Sequence, residues 1–218
     1  MTELPTSATA MRPQTARDPI ARERASAAGR DVSAAILQSA TEQFSRRGFH
    51  GASMRGVADG AEVTLSNVYN YFPAKSDILL AILRRAVSRQ IEMTTGAVAL
   101  AGPSVVDRYV AGVRAFVQFD LENLDVCFVA NSELRYLDKR RREQIVALRD
   151  AQQNVFEELI GEGVAEGCFR TPHPREAARA MLTMCAGVTV WYRPGGALRA
   201  DQVAERYARY ALAIVEGT

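Results

Sequence analysis

A row of polar side chains between residues 64 and 70 has the types and spacing that could contact DNA. The row consists of Thr64, Ser66, Asn67, Tyr69 and Asn70. An asparagine amide can form two hydrogen bonds to adenine, and a serine hydroxyl can contact the edge of several bases. Threonine and tyrosine hydroxyls suit the phosphate backbone, which fixes the register of a protein on a duplex. The row therefore predicts DNA recognition.

Two short helices joined by a tight turn would position this row on one outer face. Apolar residues recur where a helix-turn-helix needs inward contacts, at Val57, Ala58, Val63, Val68 and Phe72, and Tyr71 is expected to pack inward with them. Ser53 is a good N-cap for the first of the two helices. A longer helix from about Asp31 to Arg47 should precede them, because Ile36, Ala40 and Phe44 recur at helical spacing and Gly48 supplies a stop.

Residues 31–83 resemble the DNA-binding segment of the TetR family of one-component repressors. The resemblance is carried by Ala61-Glu62-Val63-Thr64, by Asn67-Val68-Tyr69-Asn70-Tyr71-Phe72-Pro73-Ala74-Lys75 and by Asp77-Ile78-Leu79. Two positions depart from the family pattern. Glu62 stands where the family usually has glycine, at a turn position that favours left-handed backbone. Leu65 stands where lysine or arginine is common, which suggests contact with a thymine methyl group.

The DNA-binding residues predicted from these patterns are Ser53, Arg55, Thr64, Leu65, Ser66, Asn67, Tyr69, Asn70 and Lys75. Ser66, Asn67 and Asn70 should reach base edges, while Ser53, Thr64, Tyr69 and Lys75 should hold phosphates. One such helix contacts few base pairs, so a dimer on a palindromic operator is expected. The resemblance implies a ligand-responsive regulator and leads us to expect a repressor, and it leaves activation open.

The fold expected for the whole chain is all-α with about nine helices, because apolar stripes recur at helical spacing and no long stretch alternates with strand period. Residues 1–30 are expected to form a disordered arm, either solvated or touching DNA. Residues 31–75 would be a three-helix DNA-binding domain, and residues 76–218 a larger ligand-binding and dimerisation domain. Its last two helices are expected at about Pro174 to Tyr192 and Ala200 to Val215, and the resemblance implies that they pair across a homodimer.

A small effector is expected to bind in the C-terminal half. The candidate lining residues are Phe116, Phe119, Phe128, Phe156, Arg179, Met181, Met184, Trp191 and Arg193. Aromatic and methionine residues at helical spacing also serve as plain core, and that alternative stays open. The stretch from Trp191 to Tyr207 is similar to regulators of lipid and sterol catabolism, which implies an acyl-coenzyme A effector. A regulator of a drug efflux pump is the other possibility within the family.

Composition excludes several other classes of function. The net charge is only +2, and residues 31–75 are neutral, so the DNA prediction depends on pattern and not on charge. The three cysteines lie far apart and show no metal or disulfide spacing. No reactive constellation of an enzyme accompanies the two histidines. No apolar run reaches membrane length, so a cytoplasmic protein without metal or other cofactor is expected. A helical protein-interaction module that does not bind DNA is the rival from another class.

Overall fold

The computed structural model of the protein describes residues 19–216, with side chains described from residue 31 onward. Every regular element in that range is helical, which confirms the all-α prediction. The elements are α1 (Pro19–Gly51), α2 (Met54–Gly60), α3 (Leu65–Tyr71), α4 (Lys75–Leu100), α5 (Val105–Glu122), α6 (Leu124–Ser132), a 3-10 turn (Leu134–Tyr136), α7 (Lys139–Ala165), α8 (Pro174–Ala186), α9 (Val188–Trp191) and α10 (Ala200–Glu216).

The first helix begins earlier than predicted. α1 starts at Pro19, whereas the apolar spacing placed its start near Asp31. Alanine and arginine dominate residues 19–30, and these residues favour a helix without forming an apolar stripe. The backbone of residues 19–30 is helical, residues 1–18 lie outside the described residues, and the disordered arm stays a prediction. The regular path of α1 breaks at Gly48, where φ is 69° and ψ is 167°.

Two hydrophobic cores hold the helices together. The first core packs α1, α2, α3 and the first half of α4 around Phe44, Val68 and Leu83. It also contains Val129 of α6 and Ile145 of α7, so it extends well beyond residue 75. A division into domains at that residue stays a prediction.

The second core joins α5, α7, α8 and α10. Tyr109, Phe156 and Met181 are fully buried in it, and the hydroxyl of Tyr109 donates to the backbone carbonyl of Ala211 at 3.1 Å. The helix predicted to run from Pro174 to Tyr192 is two helices, because α8 ends before Gly187 and a single turn, α9, follows it. Glycine is the weakest helix former after proline, which accounts for the break at that residue.

Candidate nucleic-acid interface and ligand cavity

The two short helices begin at hydroxyl caps. The Ser53 hydroxyl accepts a hydrogen bond from the Gly56 amide at 3.0 Å, and the Thr64 hydroxyl accepts one from the Asn67 amide at 3.2 Å. Each cap satisfies a backbone donor that would otherwise lack a partner, which fixes where the helix begins. Ser53 was predicted as a cap from the sequence, and it takes that position.

Helix α3 has one buried side and one exposed side. Val68 is fully buried, and Leu65 is partly buried against the first core. Four of the predicted DNA-binding side chains on this helix are exposed, namely Ser66, Asn67, Tyr69 and Asn70. The structure places Leu65 beside the core, where only part of its side chain could meet a thymine methyl group. Tyr71, predicted to pack inward, is 40% exposed.

The turn between α2 and α3 contains a strained residue. Glu62 has φ of 55°, and it is the one non-glycine residue with positive φ among the residues described. This agrees with the left-handed backbone expected where the TetR pattern has glycine. A side chain with a Cβ atom is disfavoured there by about 1 to 2 kcal/mol.

Helix α2 lies close against α1. A Cβ atom added at Gly60 would come within 2.5 Å of the Ser39 hydroxyl oxygen, and one added at Gly56 within 2.7 Å of Gln43 Oε1. The Ser39 hydroxyl also donates to the Val57 carbonyl at 3.0 Å. The two glycines therefore allow the close approach that fixes α2, and with it the turn to α3.

Lys75 points inward and not toward the exposed face of α3. Its ammonium donates to the backbone carbonyls of Phe49 at 2.5 Å and Ala52 at 2.6 Å, and it lies 4.6 Å from the centre of the Phe49 ring. Burial lowers the pKa of this ammonium. These contacts hold the α1–α2 connection against α4, and the phosphate contact expected of Lys75 stays a prediction.

Helix α6 contacts α1 at both of its ends, and α1 belongs to the candidate DNA-recognition unit formed by α1, α2 and α3. Near its start, the Ser45 hydroxyl of α1 donates to Asp125 at 2.6 Å. At its end, the buried carboxylate of Glu133 accepts a hydrogen bond from the backbone amide of Phe49 at 2.9 Å. The Phe49 ring also stacks on Tyr136 of the 3-10 turn, with ring centres 5.5 Å apart. Movement of α6 would therefore move the end of α1.

A cavity of about 240 Å³ lies between α4, α5, α6, α7 and α8. Its apolar wall includes Ala86, Val87, Phe116, Phe119, Leu182 and Ala186, and its polar wall includes Gln90, Asp120, Cys127, Asn131, Arg149, Gln152 and Arg179. Small-molecule sites usually combine an apolar lining with a few convergent polar groups. This cavity is therefore the candidate ligand site.

Asp120 is the most unusual group in the cavity. It is 2% exposed, and its Oδ1 atom accepts a hydrogen bond from Gln90 at 2.7 Å. Burial raises the pKa of Asp120 to about 7, although the neighbouring Cys127 thiol and Gln90 amide pull it downward. The same burial raises the pKa of the Cys127 thiol, so that sulfur stays protonated and unreactive at neutral pH.

Three buried polar atoms of residues that line this cavity have no hydrogen-bond partner in the described part of the chain. They are Oδ2 of Asp120 and both amide atoms of Gln152, whose side chain is 4% exposed. Arg149 does have a hydrogen-bond partner, because its guanidinium donates to the Ala130 carbonyl at 2.7 Å. Desolvation lowers the pKa of that guanidinium. The sequence analysis did not single out these three residues as candidates for a ligand site.

The structure brings only three of the predicted ligand residues to the cavity, namely Phe116, Phe119 and Arg179. Phe156 and Met181 are fully buried in the second core, and Met184 packs against it. Phe128 is 39% exposed on α6. The open alternative that such residues are plain core holds for Phe156 and Met181. Their helical spacing could not distinguish the wall of a cavity from a filled interior.

Trp191 and Arg193 lie outside the cavity. The Trp191 indole N–H donates to the Tyr207 hydroxyl at 3.1 Å, and the two rings are stacked 6.3 Å apart. Tyr210 continues this cluster, and Trp191 and Tyr210 are 45% and 55% exposed. Arg193 donates to the backbone carbonyls of Val190 and Tyr192. The exposed cluster lies on α9 and α10 and forms an aromatic surface patch.

Neither a metal site nor a membrane span was found in the described range. No group of three or more potential metal-ligating side chains comes together there. No described helix is both long enough and apolar enough to cross a bilayer.

Both halves of the chain match known protein families. Residues 36–82 match the family described as bacterial regulatory proteins, tetR family, and residues 102–215 match the tetracyclin repressor-like C-terminal domain. The HTH-type transcriptional repressor KstR2 of Rhodococcus jostii (strain RHA1) is 29% identical over 191 residues, which cover 81% of this chain and 87% of that protein.

Solved structures with the same fold include a bacterial regulatory protein in the tetR family from Rhodococcus RHA1. Its TM-score is 0.80 at 25% identity, with 84% of this chain and 96% of that chain covered. AibR in complex with isovaleryl coenzyme A and operator DNA has a TM-score of 0.72 at 22% identity, with 82% and 97% covered.

Proposed function

The chain belongs to the TetR family of bacterial regulatory proteins, and from this premise we propose that it is a repressor whose operator affinity is controlled by a small effector. The position of α6 is the observation that carries the proposal. This helix contributes Cys127, Ala130 and Asn131 to the cavity, and its two ends contact α1. An effector can therefore act on the unit that orients α3 through one short helix.

The exposed side of α3 supplies the contacts to bases. Ser66, Asn67 and Asn70 present hydroxyl and amide groups to the major groove, and Tyr69 is positioned for the adjacent phosphate. Ser53 and Arg55 of α2 are exposed on the same unit and suit phosphates. Leu65 and Lys75 are not included, because the first packs against the core and the second is occupied by backbone carbonyls.

Specific binding requires two copies of this unit. Two recognition helices must lie about 34 to 36 Å apart, or a multiple of that distance, to enter successive major grooves of a palindromic site. The aromatic surface patch of Trp191, Tyr207 and Tyr210 suits burial between two copies, since large exposed apolar patches mark interaction sites. We assign the surface formed by α9 and α10 to that dimer interface.

The chemistry of the cavity supports an effector with an apolar part and an anionic part. Phe116, Phe119 and Leu182 provide apolar contact, while Arg149 and Arg179 bring two positive charges to the same wall. Acyl-coenzyme A thioesters have this combination, and the fold accommodates one in AibR. The effector must bind the DNA-incompetent arrangement more tightly than the competent one, since only differential affinity shifts the equilibrium.

A substitution on α3 tests the DNA contacts. Asn67→Ala combined with Asn70→Ala should weaken binding to the selected operator by at least about 30-fold, since each amide–base pairing is worth about 1 to 3 kcal/mol. The matched control is Gln144→Ala with Asn154→Ala, which removes two exposed amides from α7. Operator affinity is measured by fluorescence anisotropy, and thermal unfolding checks that both variants fold. Equal operator affinity of the two double variants would contradict the assignment of these contacts.

A second experiment tests the effector class. Operator DNA bound to the protein is titrated with acyl-coenzyme A thioesters of increasing chain length, with free coenzyme A as the reference. Release by a thioester but not by coenzyme A supports the proposal. Arg179→Gln should raise the concentration needed for release, whereas Arg175→Gln, one turn earlier on α8 and outside the cavity lining, should not. Retention of the operator at every thioester would remove this effector class.

A further inference from the structure

We infer that the part of the effector buried in the cavity carries a hydroxyl group, which Asp120 and Gln152 hold by hydrogen bonds. The inference rests on the proposed function in one respect, namely that the cavity receives a ligand. It adds the chemistry by which the ligand is selected. The residues involved are separate from Arg149 and Arg179, whose charges motivate the acyl-coenzyme A proposal.

The first step is the unsatisfied hydrogen-bonding capacity of the cavity wall. Oδ2 of Asp120 and both amide atoms of Gln152 lack a partner in the described range, although both side chains are more than nine-tenths buried. Buried polar atoms are nearly always hydrogen-bonded, to protein, ligand or ordered water. A purely apolar ligand that expelled water from this wall would leave all three atoms unsatisfied. The wall therefore selects against a plain hydrocarbon group.

The second step is the pattern of donors and acceptors. Asp120 Oδ1 already accepts from Gln90, so its free Oδ2 offers a further acceptor when the carboxyl group is ionised. Gln152 offers one acceptor oxygen and an amide donor. A hydroxyl group can donate to one of these residues and accept from the other at the same time. A ketone can only accept, and it would leave the ionised Asp120 carboxylate with no added donor beyond the Gln90 amide and the weak S–H donor of Cys127.

Charge disfavours ionised groups at this wall. An ammonium group would pair with Asp120, but it would also lie near the guanidinium groups of Arg149 and Arg179, whereas the other carboxylate of the lining, Asp150, is exposed to solvent. A carboxylate would meet the Asp120 carboxylate, and two negative charges in a buried site repel strongly. A neutral hydroxyl avoids both conflicts.

Size limits the group to a compact one. The cavity volume of about 240 Å³ is below the 300 to 1,000 Å³ that is usual for drug-sized ligands, yet it far exceeds the space needed by one water molecule. A short or cyclic hydroxylated group fits this description.

The experiment uses three probes of nearly equal shape: cyclohexanol, cyclohexanone and cyclohexylamine. Dissociation constants are measured at pH 8 by titration calorimetry or by ligand-observed NMR with the full-length protein. The wild-type protein should bind cyclohexanol about tenfold or more tightly than either analogue, because the analogues leave a buried group unpaired. Equal or tighter binding of the ketone or the amine would overturn the inference. Failure of all three probes to bind would also overturn the inference, because ordered water alone would then satisfy the polar atoms of the cavity wall.

A substitution makes the test specific to Asp120. In Asp120→Asn the oxygen that accepts from Gln90 is retained, and the free position becomes an amide donor. The preference for cyclohexanol over cyclohexanone should disappear or reverse. Asp150→Asn is the matched control, because this carboxylate is exposed at the edge of the same cavity. It should keep the wild-type preference, and an equal change in both variants would refute the role of Asp120.

This test and the test of the effector class fail independently. Cyclohexanol selectivity without release by any thioester would keep the hydroxyl inference and remove acyl-coenzyme A as the effector. Release by saturated thioesters in a protein that does not prefer cyclohexanol would keep acyl-coenzyme A as the effector and remove the hydroxyl inference. A 3-hydroxyacyl thioester that releases the operator at about tenfold lower concentration than its saturated counterpart would support both.

Discussion

Asp120→Asn should make the protein more stable, and the gain should grow with pH. The carboxyl group is 2% exposed in the second half of α5, and burial raises its pKa from 3.8 to about 7. The folded protein therefore keeps a proton that the unfolded chain has released between these two values. Because the unfolded state binds fewer protons there, stability falls as pH rises. Asparagine keeps the shape of the side chain and cannot ionise.

The size of the change in unfolding free energy follows from the raised pKa of Asp120. Each unit of pKa difference corresponds to about 1.4 kcal/mol, so a rise from 3.8 to about 7 costs the ionised folded state about 4 kcal/mol. The loss accumulates between about pH 4 and pH 7 and is constant above the folded pKa. From pH 5 to pH 8, the stability of the wild-type protein should fall by about 2.5 kcal/mol relative to the variant.

Urea denaturation at pH 5, 6, 7 and 8 measures this difference. Other titrating groups affect both proteins alike, so only the difference in unfolding free energy is interpreted. The charged and titratable side chains that line the cavity beside Asp120 are Cys127, Arg149, Asp150 and Arg179, and all four are retained in the variant. Parallel stability curves for the two proteins would refute the reasoning, because Asp120 would then be ionised in the folded state throughout.

Three further substitutions test other parts of the structure. Glu62→Gly should raise the free energy of unfolding by about 1 kcal/mol, since glycine adopts φ of 55° without strain. Urea denaturation measures this change, and a lower stability of the variant would show that Glu62 is not strained. Lys75→Met should lower stability but leave the slope of log operator affinity against log salt unchanged, whereas a slope reduced by about one would indicate a phosphate contact. Gly163→Ala should lower the free energy of unfolding by about 1 to 3 kcal/mol, because its Cβ would lie 2.1 Å from the Phe169 ring. Gly161→Ala, on the same helix with open space around it, is the control and should be neutral or stabilising.

The DNA-recognition unit could be predicted from the sequence because its local signals agree. Ser53 begins a helix as a cap, Val68 is buried, and Glu62 has the left-handed backbone expected at its position. The inward hydrogen bonds of Lys75 could not be predicted from the sequence. Its partners are the carbonyls of Phe49 and Ala52, which are more than twenty residues away and provide no side-chain signal.

The cavity was harder to predict, because it depends on how several helices meet. Phe156 and Met181 have the spacing of an apolar stripe, and the structure uses both to fill the core. Asp120 on α5 and Gln152 on α7 also occupy inward positions, yet their polarity suggests solvent exposure. The sequence signal that could have indicated the cavity is a polar residue that interrupts an apolar stripe. Gln152 falls among the inward positions of α7, and Asp120 follows Phe116 by four residues on α5.

The contacts between α6 and α1 bear on the construction of chimeric regulators, in which the DNA-binding module of one protein is joined to the sensor of another. A junction placed at residue 75 would separate Phe49 from Glu133 and Tyr136, and would leave a buried carboxylate facing a foreign backbone. A transplant should therefore carry the end of α6 and the 3-10 turn together with the DNA-binding helices. In this protein, the exchangeable module is defined by spatial contacts and is discontinuous in sequence.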